Sequence, residues 1–286
     1  MSRRAAVVVP THDHATTLPF ALQSALAQTV GDIEVHVIGD GVGDDTRDVV
    51  ADFLRDDSRV RFHDLPKGPR LGEVYRHDVI LGLDTAMVTY LCDDDLLLAG
   101  HIAAMEQLLV DADFAHPPPI RVDGGENCHY LPIDISLPRY RQLLLSGRNR
   151  IPLTGAAHTV AAYRRLPHGW RTTPVGISTD LYMWQQFLAQ PWCRAVTGSV
   201  ATAVSFPSPT RPGWTAEQRG AELARWYSEL SDPAGHEGFD ESVRAAYRAA
   251  ALDNDRRIMA ITSSQWWRTR VAISNVLRHR RARGRQ

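Results

Sequence analysis

Cysteine is scarce, with only Cys92, Cys128 and Cys193 in 286 residues. Three thiols so widely spaced offer neither a disulfide framework nor zinc-ligand spacing, and a reducing compartment is the expectation. No apolar run reaches the length of a bilayer span. The opening Met1-Ser2-Arg3-Arg4 leads straight into an apolar strand and is too short for a signal peptide, so a cytoplasmic location is expected. A formal net charge of −1 lacks the basic excess of a nucleic-acid binder. The loop after the first apolar stretch, Pro10 to His14, has neither glycine nor lysine and so cannot form a basic phosphate-cradling turn. Acid is missing from one place: after Asp255 no carboxylate occurs, while Arg256, Arg257, Arg268, Arg270, Arg278, Arg280, Arg281, Arg283 and Arg285 accumulate.

The most informative stretch is Met87 to Asp95, a run of strand formers ending in Asp93, Asp94 and Asp95. Adjacent carboxylates repel one another unless a cation or hydrogen-bond donors neutralise them. At the carboxyl end of a strand in an open α/β sheet they would sit in the ligand crevice, and oxygen-only ligands suit Mg²⁺ or Mn²⁺. The chain before them alternates. Ala5–Val9 reads as a buried strand stopped by Pro10, followed by a helix carrying Leu18, Ala21, Leu22, Ala25 and Leu26 at helical spacing, then a strand over Ile33–Ile38. Strand, helix, strand at this length is a βαβ unit with parallel strands. A helix from Asp44, a strand at Val60–His63, a helix over roughly 72–83 and a helix over 97–109 complete an α/β pattern. Its polar clusters, Thr11/Asp13, Asp40 and Asp93 to Asp95, gather on one sheet edge. The glycines at 39, 41 and 43 lack the dinucleotide spacing and read as a mobile turn.

The second half is less periodic. A strand is expected at Thr159–Tyr163, a helix capped at Ser178-Thr179-Asp180, and a strand over 196–206. A Pro-rich loop carrying Arg211 and Trp214 is long enough to be a lid. Helices are expected over 216–230 and from Glu241 onward.

These residues resemble family 2 glycosyltransferases. The resemblance rests on Val7 to Asp13, Leu22 to Thr29, Ile33 to Gly41, Tyr75-Arg76-His77, Asp93 to Asp95, His158 to Arg164 and Ser178 to Leu181, and spans roughly residues 5–215. His12, Asp13 and Gly39 depart from the family's usual residues. The resemblance implies a GT-A fold, a mostly parallel Rossmann-like sheet flanked by helices, and inverting, metal-dependent transfer from a nucleotide-sugar. It implies that Pro10, Thr11, His12 and Asp13 form the nucleotide loop. Asp40 would accept a hydrogen bond from a uracil or thymine of a UDP- or dTDP-sugar, and Arg76 would lie near base or diphosphate. Asp93 or Asp94 would bind ribose, Asp95 with Asp93 would hold Mn²⁺ or Mg²⁺, and Asp180 would be the catalytic base. His158, Arg211 and Trp214 are candidates for phosphate or acceptor contacts, with structural packing as the other reading of His158.

On that resemblance residues 1–215 form the catalytic domain, with a nucleotide half about 1–112 and an acceptor half about 113–215. Residues 216–286 form a helical extension with a basic tail. Trp266, Trp267 and the arginines fit either a helix packed on the protein or peripheral contact with an anionic membrane, which would suit a lipid-linked acceptor; carbohydrate and small-molecule acceptors remain open. Two other classes share parts of the pattern: a nucleotidyltransferase, and a non-catalytic nucleotide-sugar-binding domain.

Overall fold

The computed structural model describes residues 3–267 and 269–270, which fall into two compact units that divide between Val243 and Arg244. The first unit begins with β1 (Arg3–Thr11), α1 (Leu18–Leu26), β2 (Ile33–Asp40), α2 (Asp44–Asp56), β3 (Val60–Leu65), α3 (Tyr75–Gly82) and β4 (Thr85–Tyr90). It continues through β5 (Leu96–Leu97), α4 (His101–Leu109), β6 (Phe114–His116), β7 (Ile120–Val122), β8 (Cys128–Tyr130), α5 (Pro138–Leu145), β9 (Ala157–Thr159) and α6 (Val160–Arg164). Then come α7 (Thr179–Leu188), β10 (Ala195–Thr197), β11 (Ala203–Ser205), a 3₁₀ turn at Ser208–Thr210, α8 (Ala216–Ser231) and the start of α9 (Pro233–Ser263).

Seven strands form the main sheet in the order β10-β6-β9-β4-β1-β2-β3, and every pairing is parallel except those of β9 with β4 and β6. Buried on both faces, β1 alternates its side chains between two cores: Ala6 and Val8 face Tyr90, Trp170 and Trp184, while Ala5, Val7 and Val9 face α1 and α4. That double burial is why β1, β2 and β4 read as nearly continuous apolar runs. The chain runs from β1 outward to β2 and β3 and then returns to β4 on the other side of β1, so a crevice opens at their carboxyl ends. A second sheet, β5-β11-β7-β8, flanks it.

The expected elements hold through α4, with a two-residue strand, β5, ahead of a helix that starts at His101. The second half differs. The strand expected at Thr159–Tyr163 is confined to Ala157–Thr159, and Val160–Arg164 is a helix whose first turn is capped by Thr159 Oγ1, which accepts from Ala162 N at 3.0 Å. The strand expected over 196–206 is two strands in different sheets, β10 and β11. The boundary expected after residue 215 lies inside the first unit: the Gly220 position on α8 packs against the Thr16 backbone, where an added Cβ would come within 2.9 Å of a carbonyl oxygen. The hydroxyl of Thr16 also donates to Ala216 O at 2.8 Å.

In the second unit the helical residues expose Leu252, Ile258, Met259, Ile261 and Trp266, and the Arg270 guanidinium stands 5.2 Å from the Trp266 ring centre. No helix among the described residues is long and apolar enough to cross a membrane. Arg268 and the arginines from Arg278 onward lie outside the described residues.

Candidate functional site

A cavity of about 670 Å³ occupies the crevice, walled by the ends of β1 (Pro10, Thr11), β2 (Asp40) and β4 (Asp93 to Asp95), and by Arg76 and Asp180. Three strand ends and the first turns of two helices thus converge on one space.

Asp40, buried at the end of β2, accepts from Gly68 N at 2.6 Å and from Lys67 Nζ, the chain's only lysine. The loop carrying these donors bends tightly over the carboxylate. Gly72 has φ +62°, and a Cβ there would fall 2.3 Å from Asp40 Cγ. Gly41 has φ +66°, and a Cβ there would fall 2.8 Å from Lys67 N, so this glycine serves a tight approach rather than the mobile turn expected from its sequence.

The acidic triplet is split among three sets of partners. Asp93 Oδ1 meets His14 Nδ1 at 2.7 Å, and that hydrogen bond raises the His14 pKa to about 9. Arg219 Nη2, from α8, donates to Asp94 Oδ2 at 2.9 Å. Asp95 accepts from Phe206 N at 2.7 Å and from Thr154 Oγ1. Burial, and then repulsion between neighbours, raises the carboxyl pKa values of Asp94 and Asp95, the latter to about 7. Ligand atoms of Asp94, Asp95 and Cys92 lie within 4.8 Å of one another. Asp93, expected as a metal ligand, is outside that cluster, with one oxygen committed to His14. Burial holds the Cys92 thiol well above its usual range and so protonated, which makes it a poor ligand. The buried Asp95 and the part-buried Asp94, destabilised by their own charge, are a hard oxygen donor set that fits Mn²⁺ or Mg²⁺.

Arg76, on α3, is buried, and its guanidinium stacks 4.5 Å from the Trp170 ring centre; burial lowers its pKa. Its Nε and Nη1 have no hydrogen-bond partner, and neither do the buried Thr11 Oγ1 and Asp93 Oδ2. Buried polar atoms are almost always paired. Four orphans on residues lining one cavity mark a place where a polar ligand completes the structure.

Asp180 sits in the first turn of α7 and lines the cavity. Its Oδ1 accepts from Leu181 N at 3.0 Å and from Ser178 Oγ, and its Oδ2 accepts from Asn149 Nδ2 at 3.1 Å. The side chain is therefore held in place with lone pairs to spare.

The structure does not bring the remaining candidates to the cavity wall. Asp13 projects outward beside His12, 3.1 Å from its Nε2. His158 is fully buried between Tyr90 OH (2.7 Å) and Thr159 O (3.1 Å), which settles its two readings in favour of packing. Arg211, expected in a lid, is buried against Glu222 with contacts of 2.6 and 2.7 Å, which pins the Pro-rich loop to α8. Trp214 is part-exposed beside it, 5.7 Å from the Arg211 guanidinium. Several wall residues had no motif to announce them: Lys67, Arg121 and, behind the wall, Thr154 and Arg219.

Residues 6–168, more than half the chain, match the family described as glycosyl transferase family 2. A Campylobacter jejuni protein named GalNAc(5)-diNAcBac-PP-undecaprenol beta-1,3-glucosyltransferase is 34% identical over 107 residues, 35% of this chain and 33% of that protein. The S. aureus TarS 1-349 structure in complex with UDP aligns over 72% of this chain and 61% of its own, at 15% identity and a TM-score of 0.55. The Pyrobaculum calidifontis mannosyltransferase PcManGT in complex with GDP-Man and Mn²⁺ aligns over 94% and 83%, at 16% identity and a TM-score of 0.51. The chain thus spans about a third of the curated relative and under two thirds of TarS 1-349, and these likenesses establish a GT-A fold. With the family match carrying the ends of β1, β2 and β4, the conclusion is that this chain belongs to glycosyl transferase family 2.

Proposed function

We propose that this enzyme transfers a sugar from a UDP- or dTDP-sugar to an acceptor hydroxyl with inversion at the anomeric carbon. The observation that carries the reading is the set of orphaned buried atoms, Thr11 Oγ1, Arg76 Nε and Nη1 and Asp93 Oδ2, all on residues of one cavity. A nucleotide diphosphate supplies what they lack: ribose hydroxyls to donate to Asp93, and anionic oxygens for Arg76. The base lies against Pro10, Thr11 and His12, where Asp40, fixed by Gly68 N, accepts an imide N–H. Asp94 and Asp95 would hold Mn²⁺ or Mg²⁺, and that ion would supply Lewis-acid stabilisation of the charge on a leaving diphosphate.

Asp180 is the general base. Three donors fix its carboxylate, and a remaining lone pair takes the acceptor O–H proton as that oxygen bonds to the anomeric carbon. The bond from that carbon to the diphosphate oxygen breaks, and its electron pair leaves with the nucleoside diphosphate. One displacement inverts the centre. The C. jejuni relative is named for an undecaprenol-diphosphate-linked acceptor, which supports a lipid-linked acceptor here and a place at a membrane surface, with Trp266 and Trp267 as contacts. UDP in TarS supports the uridine donor, whereas GDP-Man in PcManGT is the competing choice.

The test is the Asp180→Asn variant. It should bind UDP with Mn²⁺ as wild type does yet lose about a hundredfold or more in transfer rate, with wild-type product showing the anomeric configuration opposite to the donor. Retained activity in the variant, or retained configuration in the product, would overturn the assignment of Asp180.

A further inference from the structure

Beside the main cavity lies a second, of about 410 Å³, on the flanking sheet. Its wall is mostly apolar, built from Val122, Tyr130, Leu131, Pro207 and Pro209. Arg121 and Pro207 belong to the walls of both cavities, so the two spaces adjoin along that pair. Alternation along β7 produces the arrangement. Ile120 and Val122 turn into the protein, fully buried, while Arg121 between them stays half-buried on the other face.

Arg121 differs from its neighbour Arg211. The Arg211 guanidinium is consumed by Glu222 and by carbonyl oxygens of Val122 and Asp123. No side-chain hydrogen bond or ion pair engages Arg121 among the described residues. The one acid in the groove wall, Asp123, is already occupied by His129 Nε2 at 2.7 Å and by the amides of Gly125 and Asn127 at 2.8 and 3.0 Å. An unpaired guanidinium at the head of an apolar groove is complementary to a phosphate with an aliphatic tail.

We infer that this groove is the aglycone subsite of the acceptor: Arg121 binds a phosphate of the acceptor, and the apolar wall of Tyr130, Leu131 and Pro207 receives the first part of its hydrocarbon chain. The inference rests on the glycosyl-transfer reading, because the groove adjoins the cavity that holds Asp180. Placement on the β7–β8 hairpin and the loop after β11 separates acceptor recognition from the nucleotide loop of β1 and β2.

The experiment is calorimetric titration of the full chain, held with UDP and Mn²⁺, with octyl phosphate, 1-octanol and inorganic phosphate. Octyl phosphate should bind, and the other two should bind about tenfold or more weakly. Arg121→Gln and Leu131→Asp should each weaken octyl phosphate by about tenfold or more, and Leu131→Asp, which lies outside the main cavity, should leave UDP affinity unchanged and so show that it is folded. Octyl phosphate no tighter than inorganic phosphate, or insensitive to both substitutions, would overturn the subsite. So would an Arg121→Gln variant that loses UDP instead, because Arg121 would then serve the donor. Failure of wild type to bind UDP at all would count against the proposed function and not against the groove, which octyl phosphate reports on directly.

Discussion

Asp40, Asp95 and Asp180 are each held by a backbone amide, those of Gly68, Phe206 and Leu181. Carboxylates fixed this way present their remaining lone pairs in set directions, which is what a binding site requires. The arrangement depends on close approaches that single side chains would spoil. Gly72 is the tightest: its left-handed backbone disfavours a side chain by roughly 1–2 kcal/mol, and a Cβ would collide with the Asp40 carboxylate. Gly72→Ala should therefore displace Asp40 and weaken UDP binding by about tenfold or more while the bulk of the fold persists. Titration of UDP into the variant, with circular dichroism as the control, checks this; unchanged affinity would show that Asp40 does not contact the nucleotide. Asp40, Asp95 and Asp180 could be singled out in the sequence because each follows or opens a periodic element. Lys67 could not, since a lone lysine in a loop carries no periodic signal; it reaches the site only through the bend of the chain.

The helix α8 does more than cover α1. It sends Arg219 to Asp94 and Phe206 O, and Glu222 to Arg211, so that one helical face ties the acidic turn after β4 to the loop after β11. Arg211 and Glu222 are nearly inaccessible, and removing one partner of a buried pair leaves an uncompensated charge. Glu222→Gln should cost about 3 kcal/mol of stability, measured by chemical denaturation, and should free the Pro-rich loop. A loss smaller than about 1 kcal/mol would mean that water reaches the pair. At this scale the first half of the chain was legible, while in the second half the helices α7 and α8 were legible and the short strands were not. Parallel strands buried on both faces announce themselves as apolar runs, as β1 and β2 do. The elements β6 to β11 are three residues each, too short for any period, and β9 passes into α6 with no break in residue type that would mark the change. Arg219 lies on a helix that reads as an appendage, and nothing in its spacing ties it to Asp94.

At the scale of the whole molecule, three fully buried histidines among the described residues sit in neutral hydrogen-bonded pockets. His101 lies between Thr89 and Thr202, His116 between Pro117 O and Thr197, and His158 between Tyr90 and Thr159 O. Burial lowers their pKa values, to about 3 for His101 and about 4 for the other two. Unfolded, each titrates near 6.5, so below that pH the unfolded chain binds more protons than the folded one. Their contribution is complete above about pH 6.5 and is lost as pH falls toward 4, at up to about 1.4 kcal/mol per pH unit for each histidine. Denaturation midpoints between pH 7 and 4.5 should fall accordingly, and His158→Gln should make the fall shallower. A flat profile would mean that the histidines are protonated in the folded state.

The central claim is that the crevice at the ends of β1, β2 and β4 binds a metal-linked nucleoside diphosphate. The most direct measurement is calorimetric titration of UDP, dTDP and GDP into wild type and Asp95→Asn, each with Mn²⁺ and with excess chelator. The account predicts that a uridine or thymidine diphosphate binds wild type only when Mn²⁺ is present, and that Asp95→Asn abolishes this binding while remaining folded. Binding by none of the three to folded wild-type protein, or equal binding with chelator and in the variant, would contradict it.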